Sequence, residues 1–447
     1  MPAKIDILTI EVGSTITKAN GFRFSEAGGH GLEHIAQGFA KTSVDSGDVG
    51  IGVREATEEL ENNFGAKLTA VETFINSSAA GGLKMTVHGL TYSMTARAAR
   101  EASLGAGAIV KKLSAGALDD YDLEDIKEIK PNIILLAGGV EFGEKKIVLE
   151  NAEKIAALGL SVPVIYAGNS VLQKHIKAIF NSNELLIADN VFPEVDMLNV
   201  EPLRKLIHEV FSRHIVHAPG MARFAGMSSW GILPTPGAVL KGAELFAEAM
   251  GDCMVIDVGG ATSDVHSVTD GSPEYAAMTT EPEPRSKRSV EGDLGVYVNA
   301  ANIVHLMKDK EWEARMSDLA AMPHTQRQKE LTRWLCDRAV ETAVKRHAAQ
   351  LVDLYTPTGK KQLVKGKDLS AIKWVIATGG ALTRIDGALN SVKSVCIGPG
   401  RYLLPQPGTK ILADRNYLFS ALGTIAQAYP DKVKASFKAW AEKEQAA

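Results

Sequence analysis

The feature that most limits what this chain can become is a strand-and-turn met twice. Ile256-Asp257-Val258-Gly259-Gly260-Ala261-Thr262-Ser263-Asp264 has an earlier partner in Ile10-Glu11-Val12-Gly13-Ser14-Thr15-Ile16-Thr17-Lys18. In each, a β-branched apolar strand delivers a carboxylate and a glycine turns the chain back. Small hydroxyl residues follow, whose N–H and O–H groups can face an anion. Two such hairpins predict one phosphate clamp. A third element, Trp374-Val375-Ile376-Ala377-Thr378-Gly379-Gly380-Ala381, reads as a strand ending in a Gly-Gly turn, where a flat or charged ligand can come close to the backbone.

Strand-Gly-Gly turns are common one at a time; their order here carries more weight. Phosphate hairpin, long interval, second phosphate hairpin, then adenosine-type turn resembles the actin, heat-shock-chaperone and sugar-kinase superfamily. The resemblance implies an α/β, two-lobed actin-like ATPase built from duplicated ribonuclease H-like domains. Glu11 and Asp257 would face each other across ATP, holding magnesium through water or orienting the attacking water at the γ-phosphate. Around the turn glycines Gly13, Gly259 and Gly260, the residues Ser14, Thr15, Thr262 and Ser263 supply donors, and Lys18 neutralises phosphate charge. Gly379 and Gly380 would lie against the nucleoside, and Asp264 would support the second hairpin or help position water. The superfamily usually places aspartate where this chain has Glu11. The added methylene moves the carboxylate by about an ångström or more, which predicts binding with slow hydrolysis.

A chain of 447 residues is too long for one compact core, so two or more domains are expected. Its 49 basic and 53 acidic residues leave a net charge of −4, which attracts neither nucleic acid nor anionic lipid. No apolar run approaches the ~18 residues needed to cross a bilayer, and the expected location is the cytoplasm. Cys253, Cys336 and Cys396 are too scattered for a disulfide framework or a four-thiolate cluster within one chain.

The expected division is a first lobe over 1–232, completed by 412–447, and a second lobe over 233–411. Within the first, the interval from about Leu104 to Leu206 alternates strand and helix as a parallel α/β insertion. Leu136-Ala137-Gly138-Gly139 is similar to Ala377-Thr378-Gly379-Gly380, through internal duplication or through coincidence of a common turn. Thr332 to Tyr355 reads as one helix. Arg285 to Gly295 reads as a solvated charged loop, with a phosphate or lobe contact as the sharper alternative. His214 and His217 have metal-like spacing without a carboxylate or thiol cluster, so a surface or core role is expected for them.

A closer resemblance rests on six segments: Asn76-Ser77-Ser78-Ala79-Ala80-Gly81-Gly82-Leu83-Lys84-Met85, Ile134 to Gly139, Pro163 to Asn169, Ile232-Leu233-Pro234-Thr235-Pro236-Gly237, Asp257 to His266, and Val290-Glu291-Gly292-Asp293-Leu294-Gly295. Together they resemble the glutamate-mutase-associated MutL family, which is unrelated to the mismatch-repair proteins of that name. Val140-Glu141-Phe142 departs from the more Gly-rich continuation typical there. The resemblance implies an ATP-dependent reactivating factor for an adenosylcobalamin-dependent amino-acid mutase such as glutamate mutase, with ATP and magnesium as cofactors, the mutase as partner and self-association left open. Three other classes stay in view: a small-molecule kinase, an iron–sulfur activator of radical dehydratases, and an actin-like scaffold. For the first no catalytic base facing an acceptor is identifiable, and for the second the cysteines are poorly placed.

Overall fold

The computed structural model describes residues 2–25, 31–43, 47–78, 83–181, 184–215, 220–279, 283–357, 359–395 and 400–446. The loop glycines Gly28 and Gly29, the small residues 79–82, His217 and Cys396 lie outside these. Strands β1 (Ala3–Val12), β2 (Ile16–Phe24), β3 (Leu32–Lys41) and β4 (Leu68–Ser77) open the chain. Then come β5 (Lys84–Gly89), β6 (Ile109–Ala115), β7 (Ile133–Leu136), β8 (Val164–Tyr166) and β9 (Leu185–Ile187). After β10 (Ile232–Pro234) follow β11 (Cys253–Val258), β12 (Ser263–Val268), β13 (Ser286–Glu291), β14 (Gln350–Thr356), β15 (Gly359–Lys365), β16 (Trp374–Thr378) and β17 (Lys410–Ala413). The chain folds into two compact units, one of Met1–Ala79, Ile215–Thr280 and Arg285–Ala447, the other of Ala80–His214 with Glu281–Pro284.

The larger unit is built twice from one plan. Its two five-stranded sheets run β3-β2-β1-β4-β10 and β13-β12-β11-β16-β17. In each, the first three strands are antiparallel and the last two join in parallel. The helix Gly50–Phe64 occupies the same place between β3 and β4 that Gln326–His347 occupies between β13 and β16. After β10 and β17 the chain enters the helices Thr235–Met250 and Leu418–Ile425, which pack on each other. Gly242 and Gly423 make that contact possible: a Cβ on Gly242 would stand 2.6 Å from the Phe419 carbonyl oxygen, and one on Gly423 would strike the Ala238 carbonyl. Ala243, Phe246, Phe419 and Leu422 from this helix pair close one core with Ile7 and Phe74 of the first sheet and Val255 and Ile376 of the second.

Two expectations need correction, and one open alternative is decided. The helix expected to reach Tyr355 ends at His347 and gives way to β14, which pairs with β15. Val352, Tyr355 and Thr356 favour a pleated surface, and Ala348 already has extended backbone. The charged run from Arg285 is not a solvated loop either. It forms β13, where Lys287 and Arg288 are buried; the charges hid a strand whose buried groups are matched by internal partners. Finally, the counterpart of β16 is β4. β7 belongs to another sheet, so the likeness of Leu136–Gly139 to Ala377–Gly380 is no trace of the duplication.

The smaller unit holds a fully parallel sheet ordered β6-β5-β7-β8-β9. The helices Arg97–Gly105, Asp120–Ile129, Lys146–Ala157 and Gln173–Ile179 form its crossovers. This is a doubly wound order whose direction switches between β5 and β7. Continuous apolar runs such as Ile133–Leu136 fit strands covered on both faces. Because β5 lies between β6 and β7, the unit takes in residues upstream of the interval expected from Leu104. No helix among the described residues is long and apolar enough to cross a membrane.

Candidate functional site

The two hairpins close alike. Gly13 N–H donates to the Ile16 carbonyl at 3.2 Å, and Gly259 N–H donates to the Thr262 carbonyl at 2.9 Å. A Cβ on Gly13 would stand 2.5 Å from the Ile16 oxygen, so a larger residue there would force the turn open. The tips meet: a Cβ on Gly260 would run into the Thr15 hydroxyl. That hydroxyl is buried and has no hydrogen-bond partner among the described residues, while Ser14 is exposed at its tip.

The strand register sets the charges. Glu11 stands opposite Lys18, and Asp257 stands opposite Asp264. Lys18 Nζ pairs with Glu11 Oε1, and Ser420 Oγ donates to Glu11 Oε2, so both carboxylate oxygens are engaged. Lys18 Nζ also lies 4.0 Å from the centre of the Tyr417 ring. Burial alone would lower the lysine pKa; Glu11, Tyr417 and Asp257 outweigh it, and Lys18 is held above its ordinary value. Burial raises Asp257 to about 7, with Asp264, Glu11 and Asp414 adding repulsion against the pull of Lys18. No side chain or amide among the described residues donates a hydrogen bond to the Asp257 carboxylate.

Asp264 supports its hairpin from inside. Its Oδ1 accepts from Arg288 Nε at 3.0 Å and Nη2 at 2.6 Å, and its Oδ2 accepts from Thr262 Oγ1 at 2.9 Å. Ser263 turns away from the turn and donates to the Leu294 carbonyl at 2.7 Å. Gly379 has φ +91°, and a Cβ there would lie 2.9 Å from Asp257 Oδ1; one on Gly380 would lie 3.2 Å from Tyr417 Oη. The Gly-Gly turn therefore borders both Asp257 and Tyr417.

The structure thus gathers Glu11, Lys18, Asp257, Asp264, Thr15, Gly260, Gly379 and Gly380 at one place, and adds Tyr417, Ser420, Arg288 and Asp414. Asp414 caps the start of the helix Leu418–Ile425, accepting from Leu418 N–H at 2.7 Å and Phe419 N–H at 3.1 Å. It also accepts from Thr378 Oγ1 at 3.2 Å, and burial raises it to about 6 against those bonds and Lys18. A signal for it existed. Thr378 pairs in register with Asp257 as Asn76 pairs with Glu11, and Thr235, which follows β10 as Asp414 follows β17, donates to Asn76 Oδ1 at 2.8 Å. Aligning the two halves of the duplication would have singled out Asp414.

Chemically, the place offers turn amides, a buried unmatched hydroxyl and a lysine to an anion, and a destabilised carboxylate to a cation or a water molecule. Among the described residues no three His, Cys, Asp or Glu side chains group to hold a metal by themselves.

The larger unit is thus a duplicated α/β core whose hairpins meet tip to tip around a lysine and several carboxylates. The chain matches the family model described as MutL protein over residues 7–440, and it belongs to that family. It is 34% identical over 453 residues to Protein MutL of Clostridium tetanomorphum, covering 95% of this chain and 96% of that one. Among solved structures it is similar to nucleotide-free acetone carboxylase, at 12% identity and TM-score 0.41 over 94% of this chain and 70% of that one. A nucleotide-free diol dehydratase-reactivating factor gives 12% and 0.33 over 89% and 95%.

Proposed function

We propose that this chain binds magnesium-ATP at the paired hairpins and uses its slow hydrolysis to reactivate an adenosylcobalamin-dependent amino-acid mutase in the cytoplasm. The observation that carries the nucleotide half is the buried, unmatched Thr15 hydroxyl at the meeting point of the two turns whose strands carry Lys18 and Asp257. The partner half rests on membership of the MutL family along almost the whole chain.

In this reading the turn amides of Ser14, Thr15, Gly260 and Ala261 cradle the phosphates, and the Thr15 hydroxyl gains the partner it lacks. Lys18, fixed by Glu11 and stacked on Tyr417, spreads positive charge over the β- and γ-phosphates. Asp257 takes its charged form once a cation is near, and then holds or orients water at the γ-phosphate. Bound magnesium would supply charge neutralisation and a water shell; it demands few protein ligands and keeps several waters, which suits a site where Asp257 is the free carboxylate. Glu11, bound on both oxygens, would position Lys18. The Gly379–Gly380 turn leaves room for the nucleoside, and ATP-dependent movement of the lobe over 1–232 and 412–447 against the lobe over 233–411 would loosen a damaged cofactor from the partner.

The test adds the protein to a mutase inactivated during turnover, with free adenosylcobalamin, magnesium and either ATP or a non-hydrolysable analogue. Recovery of activity is expected with ATP alone. Equal recovery with both would remove hydrolysis from the driving step. Recovery with neither, across every such mutase encoded in the same genome, would overturn the reactivase reading.

A further inference from the structure

In the smaller unit the large apolar side chains exposed to solvent are Tyr92, Tyr121, Phe142, Val171, Val195 and Met197. All six sit in the segments that leave the carboxyl ends of the parallel strands. Tyr92 follows β5, Tyr121 follows β6 at the start of its helix, Phe142 follows β7, Val171 follows β8, and Val195 and Met197 follow β9. None lies at the opposite edge. Tyr121 and Phe142 are each 79% exposed, and Tyr92 and Val195 66%. Burial cannot have selected them, and random placement would scatter them over both edges.

The backbone is arranged to present them. Lys130, Phe142, Asp196, Lys308 and Tyr417 have positive φ without being glycine. Three of these cap helices. The other two are Phe142, at φ 60°, and Asp196, at φ 63° between Val195 and Met197. A bulky residue in the left-handed region is costly and persists where its surroundings impose it. Here they do: Phe142 N–H donates to Asn169 Oδ1 at 3.3 Å, Glu141 N–H donates to the Pro193 carbonyl at 2.8 Å, and the Glu141 carboxylate accepts from Asn190 Nδ2 at 2.8 Å. The loops after β7, β8 and β9 are thereby tied into one pre-formed surface.

We infer that this carboxyl-end edge is where the chain docks a folded protein partner whose contact face has an apolar centre and a Lys/Arg rim. The occupant follows from size and charge. Five strands spaced about 4.8 Å apart set the apolar row at about 20 Å, a length that a macromolecular face covers more readily than a small ligand. The exposed acids Asp119, Asp120, Asp189, Glu194 and Asp196 outnumber the exposed Lys145, Lys146 and Lys174 around it, so the complementary rim is basic. That this partner is the mutase rests on the function proposed above.

The experiment measures binding of the full chain to the mutase holoenzyme by surface-immobilised kinetics, with nucleotide affinity recorded in parallel. Tyr92→Asp and Phe142→Asp are each expected to weaken binding roughly tenfold or more, as loss of an aromatic anchor does. Asp119→Lys with Asp120→Lys is expected to slow association and flatten its salt dependence. Tyr355→Asp, equally exposed but on β14 of the larger unit, is expected to bind like the parent, and all variants are expected to keep the parent's affinity for ATP. If the Tyr92 and Phe142 variants bind the mutase as the parent does, this surface assignment is wrong while the proposed function stands. If the parent chain binds ATP but no adenosylcobalamin-dependent mutase from the same genome, both fall.

Discussion

Glu11 and Lys18 face each other across the first hairpin and form a buried ion pair. Ser420 engages the second oxygen of Glu11, so the pair ties the first hairpin to the helix Leu418–Ile425. Removing one member strands the other in a poorly solvated place. Lys18→Met is expected to destabilise the fold by about 3–5 kcal/mol. The double variant Glu11→Gln/Lys18→Met should recover much of that loss while binding ATP no better than the single one. Urea unfolding with parallel nucleotide titration checks this; equal stability of the parent and the Lys18 variant would show that the pair is not buried in solution.

The same geometry changes what is expected of Glu11→Asp. From sequence alone a shorter acid is expected to leave ATP affinity similar and quicken hydrolysis, since aspartate is usual in the superfamily. With both oxygens engaged, the longer side chain is what reaches Lys18 and Ser420 together. The substitution is expected to slow hydrolysis several-fold and weaken ATP binding. An increase in rate would show that Glu11 acts on water directly and that the pairing with Lys18 is incidental.

Gly379 offers a test of the Gly-Gly turn that does not depend on catalysis. An alanine there must hold φ near +91° with its Cβ 2.9 Å from Asp257 Oδ1. Strain of this kind costs about 1–3 kcal/mol. Gly292 has ordinary φ and nothing within 4 Å of the Cβ position, so Gly292→Ala should be near neutral. Comparable melting temperatures for the two variants would contradict the geometry of the turn.

Much of the site was legible because its parts are local. A strand, a carboxylate, a glycine and small hydroxyls are contiguous in each hairpin, and the β-branched runs around them leave few alternatives. Residues whose role depends on distant partners were not legible. Arg288 reads as one charge in a charged run until β13 is placed beside β12, where it meets Asp264. Tyr417 and Ser420 reach Lys18 and Glu11 only because the last part of the chain packs on the first strands. The helix expected through Tyr355 failed for a related reason: Leu351 keeps helical spacing, yet pairing with β15 decides its state. The smaller unit read well as alternating strand and helix, but its upstream edge depends on β5 entering the middle of the sheet.

Asp257→Asn should separate binding from hydrolysis. The amide keeps the size of the side chain and removes the charge that Asp264, Glu11 and Asp414 oppose. ATP affinity is expected to stay within a few-fold or improve, because a destabilised negative charge near the phosphates is gone. Hydrolysis is expected to fall by at least about a hundredfold, as loss of a general base or water-orienting group does. A variant that hydrolyses ATP at the parental rate would remove Asp257 from the reaction.

Stability should fall on acidification, and buried histidines set the window. His88 is fully buried, with Nδ1 2.7 Å from Ser114 Oγ and Nε2 3.0 Å from Thr86 Oγ1. Burial lowers its pKa from 6.5 to about 4. His347, held between Ser267 and Ser289 at 2.8 Å each, is shifted the same way by burial and by Lys367. As pH falls the unfolded chain takes up these protons first. The stabilisation is therefore fully present above about pH 6.5 and is lost as pH falls toward 4, at up to about 1.4 kcal/mol per pH unit for each such group. Asp257 and Asp414 work in the opposite sense: their raised pKa values, about 7 and about 6, favour the folded state below the ordinary carboxylate range, and that contribution is lost as pH rises through them. His34 and His266 are lowered by burial like His88 and His347, so the histidines outnumber these two acids. Urea unfolding at pH 7, 6 and 5 is expected to show falling stability, with a shallower fall in His88→Gln. An identical slope in parent and variant would mean that His88 is protonated in the folded protein, against the burial described here.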